Sequence, residues 1–246
     1  MQKLMSRMRA AMEKYDMIED GDRVAVGISG GKDSLALFVC LAEMRRFYPK
    51  RYEVVALTLD MGFENGGDWE QIRKLCAQYN VEYTVKQTEL SKVIFEYRKE
   101  SNPCSLCAKM RRGFLHDAAK ELGCNKLALG HHLDDAAETF MMNLLSGGRI
   151  DCFRPLTYLS RKDIFVIRPM VLAREGAVAS VADRLQLPVQ KSGCPKDGHS
   201  EREKMKQLLN TLETEYPHLR EKIIGALERG NIAGWGEIPV GQNEDT

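Results

Sequence analysis

Three sets of residues in this chain have types and spacings that could do chemistry. The first is SGGKDS, Ser29 to Ser34. Consecutive glycines at Gly30 and Gly31 let backbone N–H groups converge on an anion, and a helix start behind them adds partial positive charge. Ser29 and Ser34 supply hydroxyl donors, Lys32 a cation for phosphate oxygens, and Asp33 a carboxylate between them. The second is GHHLDDAAET, Gly130 to Thr139, where Asp134 and Asp135 open a helix. One of the two is expected to cap it, and the other to face the phosphate side and hold Mg²⁺ there. His131 and His132 carry no assigned role. The third set is Cys104 and Cys107 in P-C-S-L-C, with Cys194 alone in S-G-C-P. A C-x-x-C pair brings two sulfurs onto one centre and reads as a zinc site, a redox dithiol or persulfide carrier, or a cluster site. Zinc wants four ligands, and no second C-x-x-C is present. Three sulfurs suit a cubane cluster with one iron left free of protein.

Elements that could position these residues follow from the hydrophobic pattern. RVAVGIS is β-branched and apolar, SGGKDS follows it, and LALFVCLAEMRRF has helical spacing. EVVALTLD, Glu53 to Asp60, is a second strand; DWEQIRKLCAQYN is an amphipathic helix and VEYTVKQ a third strand. A helical patch near Ser91 to Lys99 leads to the turn SNPCSLC and then a long helix through Leu122. KLALGHH is the next strand, and DIFVIRP, Asp163 to Pro169, is another, reached by a loop or hairpin from FRPLTYLSRKD. Strands alternating with helices predict an α/β fold, a mostly parallel sheet flanked by helices. Such sheets bind ligands at the carboxyl ends of their strands, where SGGKDS, Asp60 and GHHLDD all fall.

The division expected is an N-terminal helix over 1–20, a phosphate-loop domain over 21–170, a helical segment over 171–230 with the third cysteine, and a loose tail over 231–246. Hydrophobic residues make up 43% and charged residues 29% of 246, enough for a packed core. No apolar run is long enough to span a membrane, and the N-terminus lacks a signal core, so a cytoplasmic location is expected. Seven cysteines are too sparse for a disulfide scaffold. Cys40, Cys76, Cys124 and Cys152 read as small buried hydrophobes. Net charge is +1, so overall composition says nothing for nucleic acid. Local basic clusters, Lys109 with Arg111 and Arg112, and Lys204 with Lys206, taken alone read as solvated helix faces.

SGGKDS is not a Walker A loop, which needs G-x-x-x-x-G-K-[ST]. It resembles the loop of the pyrophosphate-loop ATPases, which cleave ATP between the α- and β-phosphates. Together with PCSLCAKMRRG, GHHLDDAAET, VIRPM and the late Cys194, it makes the chain similar to the tRNA-cytidine 2-sulfurtransferases, from about Met17 to Arg229. The resemblance implies an adenine-nucleotide α-hydrolase-like fold, ATP with Mg²⁺, and a [4Fe–4S] cluster on Cys104, Cys107 and Cys194. It implies nucleotide binding by Ser29, Gly30, Gly31, Lys32, Asp33, Ser34, Asp60, Gly130, Asp134 and Asp135. Catalytic roles are expected for Lys32, Asp33, Asp135 and the three cysteines. The substrate implied is a tRNA pyrimidine, cytidine 32 before others. Sulfur would come from a cysteine desulfurase or free sulfide, and a homodimer is left open. Family members commonly carry C-x-x-C around the third cysteine, whereas SGCPKDG has one. Uridine-thiolating relatives share the three-cysteine plan but add zinc-binding cysteine pairs at their termini. None is present here, which favours cytidine. Rival readings are a lysidine-synthetase-like ligase, thiolation of another base or a small molecule, and a non-catalytic iron–sulfur nucleotide sensor.

Overall fold

Alternation along the strands separates two apolar layers in the computed structural model, which describes residues 1–63, 67–98, 103–190, 193 and 201–236, with 103–105 by backbone alone. In β1 (Asp22–Gly27) Val24 and Val26 join one cluster while Ala25 joins another. In β2 (Tyr52–Asp60) Val54 and Ala56 fall on the first side, Val55 and Leu57 on the second. Side chains of successive strand residues point to opposite faces, so both faces of this sheet are covered.

The remaining strands are β3 (Glu82–Gln87), β4 (Lys126–Ala128), β5 (Leu156–Leu159) and β6 (Ile164–Ile167). They form a six-stranded sheet in the order β3-β2-β1-β4-β6-β5. All pairings are parallel except β5 with β6, the hairpin left as an alternative by the sequence. Asp163, at φ +46°, closes that hairpin, a left-handed conformation that Asp tolerates better than most residues.

Helices α1 (Gln2–Lys14), α2 (Lys32–Met44), α3 (Trp69–Gln78) and the short α4 (Leu90–Lys92) come first. A π-helical turn, Val93–Arg98, continues α4; α5 (Pro103–Glu121), α6 (Leu133–Leu145), α7 (Glu175–Arg184), α8 (Glu201–Glu215) and α9 (Leu219–Arg229) follow, and a 3-10 turn, Ile232–Gly234, is the last helical element among the described residues. Helix α2 is buried nearly all round, from Ser34 to Ala42. It lies between the sheet and two further helices, α1 and α7, so an apolar surface on every side is what its position requires. Leu4, Met8, Ala11 and Met12 of α1 fill its outer side.

Two local expectations change. The C-x-x-C does not form a turn before a helix: Pro103 starts α5, and Cys104 and Cys107 lie in its opening turns. Proline suits a first helical position because its missing N–H has no intrahelical acceptor there. The tail is anchored rather than loose from Asn231 to Gly236. Trp235 is fully buried, its Nε1 donates to the Phe153 carbonyl at 2.8 Å, and its ring meets Tyr15 edge-on. Burying so large a side chain outweighs the ordering of a few residues. The helices of 171–229 likewise share the main core, through Val178, Leu209, Ile224 and Leu227.

Candidate active site

The loop after β1 is built by its own serines. Ser34 Oγ donates to the Gly31 carbonyl at 2.9 Å and accepts from Ser29 N–H at 3.1 Å. Ser29 Oγ accepts from Gly31 N–H at 3.3 Å and lies 3.2 Å from Ser34 Oγ. Gly30 takes φ +86°, and a Cβ there would meet Gln190 Cβ at 3.0 Å, so two constraints exclude a side chain. Gly31 is the N-cap of α2, whose first-turn N–H groups have no carbonyl within the helix to receive them. The arrangement is a hydroxyl- and amide-lined bowl that favours anions.

Gly130 comes from the turn after β4. A Cβ on it would lie 3.1 Å from Asp33 C and Ser34 N, so its bare backbone admits the first turn of α2. Asp33 has one carboxylate oxygen, Oδ1, buried and without a hydrogen bond, 3.1 Å from Lys32 Nζ and 3.8 Å from His132 Nε2. This buried oxygen accepts no hydrogen bond and is ion-paired with Lys32 beside the anion bowl; a carboxylate there is of the donor type that suits Mg²⁺, which takes one or two protein carboxylates and leaves its other positions to water and phosphate.

Asp134 and Asp135 do not divide into one cap and one nucleotide-facing group. Both tie helices together. Asp135 closes a capping box: its Oδ2 accepts from His132 N–H at 2.9 Å while His132 Nδ1 accepts from Asp135 N–H at 3.3 Å. Its other oxygen accepts from Arg202 of α8 at 2.9 Å. Asp134 is almost fully buried and caps a different helix, accepting from Glu175 N–H at the start of α7 at 2.7 Å. Its second oxygen lies 3.3 Å from Arg174 Nε and 3.2 Å from Arg220 Nε. The N-terminus of α7 and two guanidinium groups give that carboxylate stronger partners than solvent would.

Histidine 132 is thus the N-cap of α6. The His131 ring stacks at a tilt on Phe153 at 5.0 Å, with its Nδ1 buried and unbonded. Burial, and then the Arg168 charge, push His131 down to about 3, so it is neutral at physiological pH. Glu138, one turn past Asp134, is buried, and burial, then the Asp135 charge, raise its carboxyl to about 7. Asp60, at the end of β2, accepts from Trp69 Nε1 at 2.9 Å and Gly62 N–H at 3.0 Å, so it braces the loop before α3.

Several residues here carry no motif and were not singled out from sequence. Glu175 Oε1 accepts from Lys32 Nζ at 2.9 Å. Burial works to raise its carboxyl, but hydrogen bonds from Lys206 and Lys32 outweigh that and hold it at about 2. Gln190 donates its N–H to the Gly30 carbonyl at 2.9 Å and accepts from Asp68 N–H at 3.1 Å. The side chain of Cys104, and Cys194 entirely, lie outside the described residues. In sequence Cys194 stands between Gln190, bonded to the loop, and Arg202, bonded to Asp135. Cys107 is half-buried against the apolar cluster of Leu59, Leu90 and Ile94. A half-buried cysteine beside an apolar cluster suits a ligand of an iron–sulfur centre. Arg98, Leu106, Lys109, Met110, Phe114 and Asp117 line an open cleft of about 620 Å³ along α5. Arg111 and Arg112 are exposed on the same helix.

Comparison with known proteins agrees with this geometry. Residues 2–188 match the PP-loop domain family. The tRNA-cytidine(32) 2-sulfurtransferase of Syntrophotalea carbinolica is 41% identical over 225 residues, 90% of this chain and 86% of that one. The protein of the same name from Geobacter sulfurreducens is 37% identical over 233 residues, 94% of this chain and 90% of its own. Among solved structures, the U34-tRNA thiolase NcsA from Methanococcus maripaludis with its [4Fe-4S] cluster superposes with a TM-score of 0.74. Its identity is 29%, over 91% of this chain and 77% of that chain.

Proposed function

The chain belongs to the PP-loop family, among the tRNA-cytidine(32) 2-sulfurtransferases, and from that premise we propose that it thiolates cytidine 32 of tRNA through an adenylated intermediate. The observation that carries this reading is the Ser29–Ser34 bowl, with the buried Asp33 Oδ1 beside it, at the carboxyl end of β1, together with Cys107 of α5 packed on the cluster of Leu59, near the carboxyl end of the neighbouring β2. Oxygen at C2 of a pyrimidine is a poor leaving group. Attack of that oxygen on the α-phosphorus of ATP breaks the α–β bridge, releases pyrophosphate and leaves the oxygen as a phosphate ester. Sulfide then adds at C2, and AMP departs with the oxygen, giving C=S.

In this scheme the bowl's amide and hydroxyl donors and Lys32 hold the β- and γ-phosphates and take up the charge of the leaving pyrophosphate. Asp33 supplies the carboxylate for Mg²⁺; Asp134 and Asp135 fix the helices around it. Cys104, Cys107 and Cys194 would hold a [4Fe–4S] cluster, which when bound supplies an iron without a protein ligand where sulfide can be kept. Lys109, Arg111 and Arg112 place tRNA by its phosphates, and a splayed anticodon-loop base reaches the cleft beside Met110. Sulfur reaches the site as free sulfide, or from a cysteine desulfurase as a persulfide that a thiol reductant cleaves to sulfide, the thiol being oxidised to a disulfide.

Nucleoside mass spectrometry of tRNA from a deletion strain tests the proposal. Loss of 2-thiocytidine alone, restored by the gene, is expected. Loss of a thiouridine with 2-thiocytidine intact would transfer the activity to uridine. An unchanged thionucleoside profile would remove the proposal.

A further inference from the structure

One carboxylate oxygen at the phosphate loop carries two ammonium groups. Glu175 Oε1 lies 2.9 Å from Lys32 Nζ and 3.1 Å from Lys206 Nζ, and Glu175 Oε2 lies 2.8 Å from Lys206 Nζ. Lys32 belongs to the loop itself; Lys206 comes from α8. Lys32 Nζ also lies 3.1 Å from Asp33 Oδ1, so two ammonium groups share two carboxylates beside the bowl, and of the two only Glu175 bridges the lysines. The two lysines repel each other, and the Glu175 carboxylate between them offsets that repulsion. Pyrophosphate offers the same oxygen acceptors with more charge.

The orientation of α8 is a second, independent observation. Arg202, one turn before Lys206, reaches Asp135 Oδ1 at 2.9 Å and Thr139 Oγ1 at 3.2 Å. Residues four apart lie on one helix face, so α8 turns a basic face towards the loop. Lys204, on another face, pairs locally with Glu201 and is 69% exposed, whereas Lys206 is 36% exposed. The two lysines read together from the sequence therefore separate in the fold, one outward and one inward.

We infer that Lys206 is a second phosphate-binding cation of the nucleotide site, and that Glu175 holds it beside Lys32 as an internal stand-in for the β- and γ-phosphates. Arriving phosphates displace the Glu175 carboxylate and inherit both lysines. Helix α8 is thereby fastened by the nucleotide at its Lys206 turn, in addition to its Arg202 contact. The inference rests on the reading of the loop as the ATP site.

Binding of inorganic pyrophosphate to the full-length protein, followed by calorimetry, tests it. Lys206→Gln should weaken binding about tenfold or more, the loss of one charge-assisted contact. Lys206→Arg should recover most of it. Glu175→Gln should act in the opposite sense and tighten binding severalfold, because the competing carboxylate is gone. Lys32→Ala is the control for the underlying reading. Normal binding by Lys206→Gln beside weakened binding by Lys32→Ala would overturn the inference and leave the loop assignment standing. Normal binding by both would overturn the two together. If Lys206→Gln does not fold, Glu175→Gln decides alone: tighter binding supports the inference, and unchanged or weaker binding overturns it.

Discussion

Arg220, buried on α9, sets its Nε 3.2 Å from a carboxylate oxygen of Asp134, itself buried at the start of α6. The same guanidinium donates to Glu213 and, at 2.7 Å, to Asn210. Removing this buried cation leaves Asp134 with Arg174 and the Glu175 N–H, and Glu213 with Arg174, so two buried or half-buried carboxylates come to share one guanidinium. Arg220→Ala is expected to cost about 3–5 kcal/mol, read as a lower urea midpoint at unchanged slope. A loss below about 1 kcal/mol would mean that the pair behaves as a surface contact.

The close approach of Gly130 to α2 gives a way to perturb the loop without touching a polar group. Gly130→Ala places a Cβ 3.1 Å from the Asp33 and Ser34 backbone, so the loop must shift by a few tenths of an ångström. ATP-dependent pyrophosphate release in the presence of tRNA should fall, with a small change in melting temperature. Lys32→Ala should lose a contact worth on the order of 1.5–3 kcal/mol in the same assay, and iron content should stay the same. Wild-type rates from either variant would remove that residue from the nucleotide site.

Glu138 supplies a pH dependence with a definite sign. Its carboxyl rises from 4.5 to about 7 in the folded state, chiefly through burial. The folded chain therefore binds this proton more tightly than the unfolded chain does. The associated stability is complete below pH 4.5 and is lost as pH rises through about 7. Glu138→Gln should remove that decline, making the variant more stable than the parent at pH 8 by on the order of 1–2 kcal/mol once solvent screening is allowed for. Parallel stability–pH curves for the two proteins would show that Glu138 titrates normally.

How much of this was legible in the sequence depends on the range of the interaction. The sheet could be read because Val24, Ala25 and Val26, and Val54 to Leu57, form continuous apolar runs rich in β-branched residues, and the anion bowl because Ser29 to Ser34 make their contacts within six residues. Asp134 was recognisable as a helix-start acid but not as the cap of α7. That role depends on Arg174, Glu175 and Arg220, which no local spacing ties to it. Lys206 was hidden for the same reason, since a charged helix face looks alike whether it meets water or a carboxylate. Gln190 carries no motif at all; only its bond to the Gly30 carbonyl reveals it. Trp235 had a visible signal, a large aromatic close to Ile232, Ala233, Ile238 and Val240, which the interspersed glycines and the acidic residues further on masked.

The exposed basic residues of α5 should govern RNA affinity through charge alone. Reversing Arg111 and Arg112 to Glu is expected to weaken tRNA binding and to flatten its dependence on salt, because fewer counterions are released. Filter binding across a salt series measures both. Normal affinity with an intact fold would make this face a solvated one and put the tRNA elsewhere.

The cysteine assignment makes the most exposed prediction. Protein purified without oxygen should be brown and contain about four irons and four inorganic sulfides per chain. Cys104→Ser, Cys107→Ser and Cys194→Ser should each lose the cluster or leave it labile. Cys40→Ser and Cys124→Ser should not, because both side chains are buried within apolar packing, and burial pushes the Cys40 thiol up to about 12. A thiol so far from ionising is a poor ligand and a poor nucleophile. Thiolation should disappear with the cluster. ATP binding should survive, since the loop's geometry rests on Ser29, Gly31 and Ser34 and on no sulfur. Stoichiometric zinc without iron, in anaerobic protein that still thiolates tRNA, would sink the cluster assignment. A persulfide on Cys107 or Cys194 would then become the sulfur carrier, and trapping it by alkylation and peptide mass spectrometry would identify which of the two attacks.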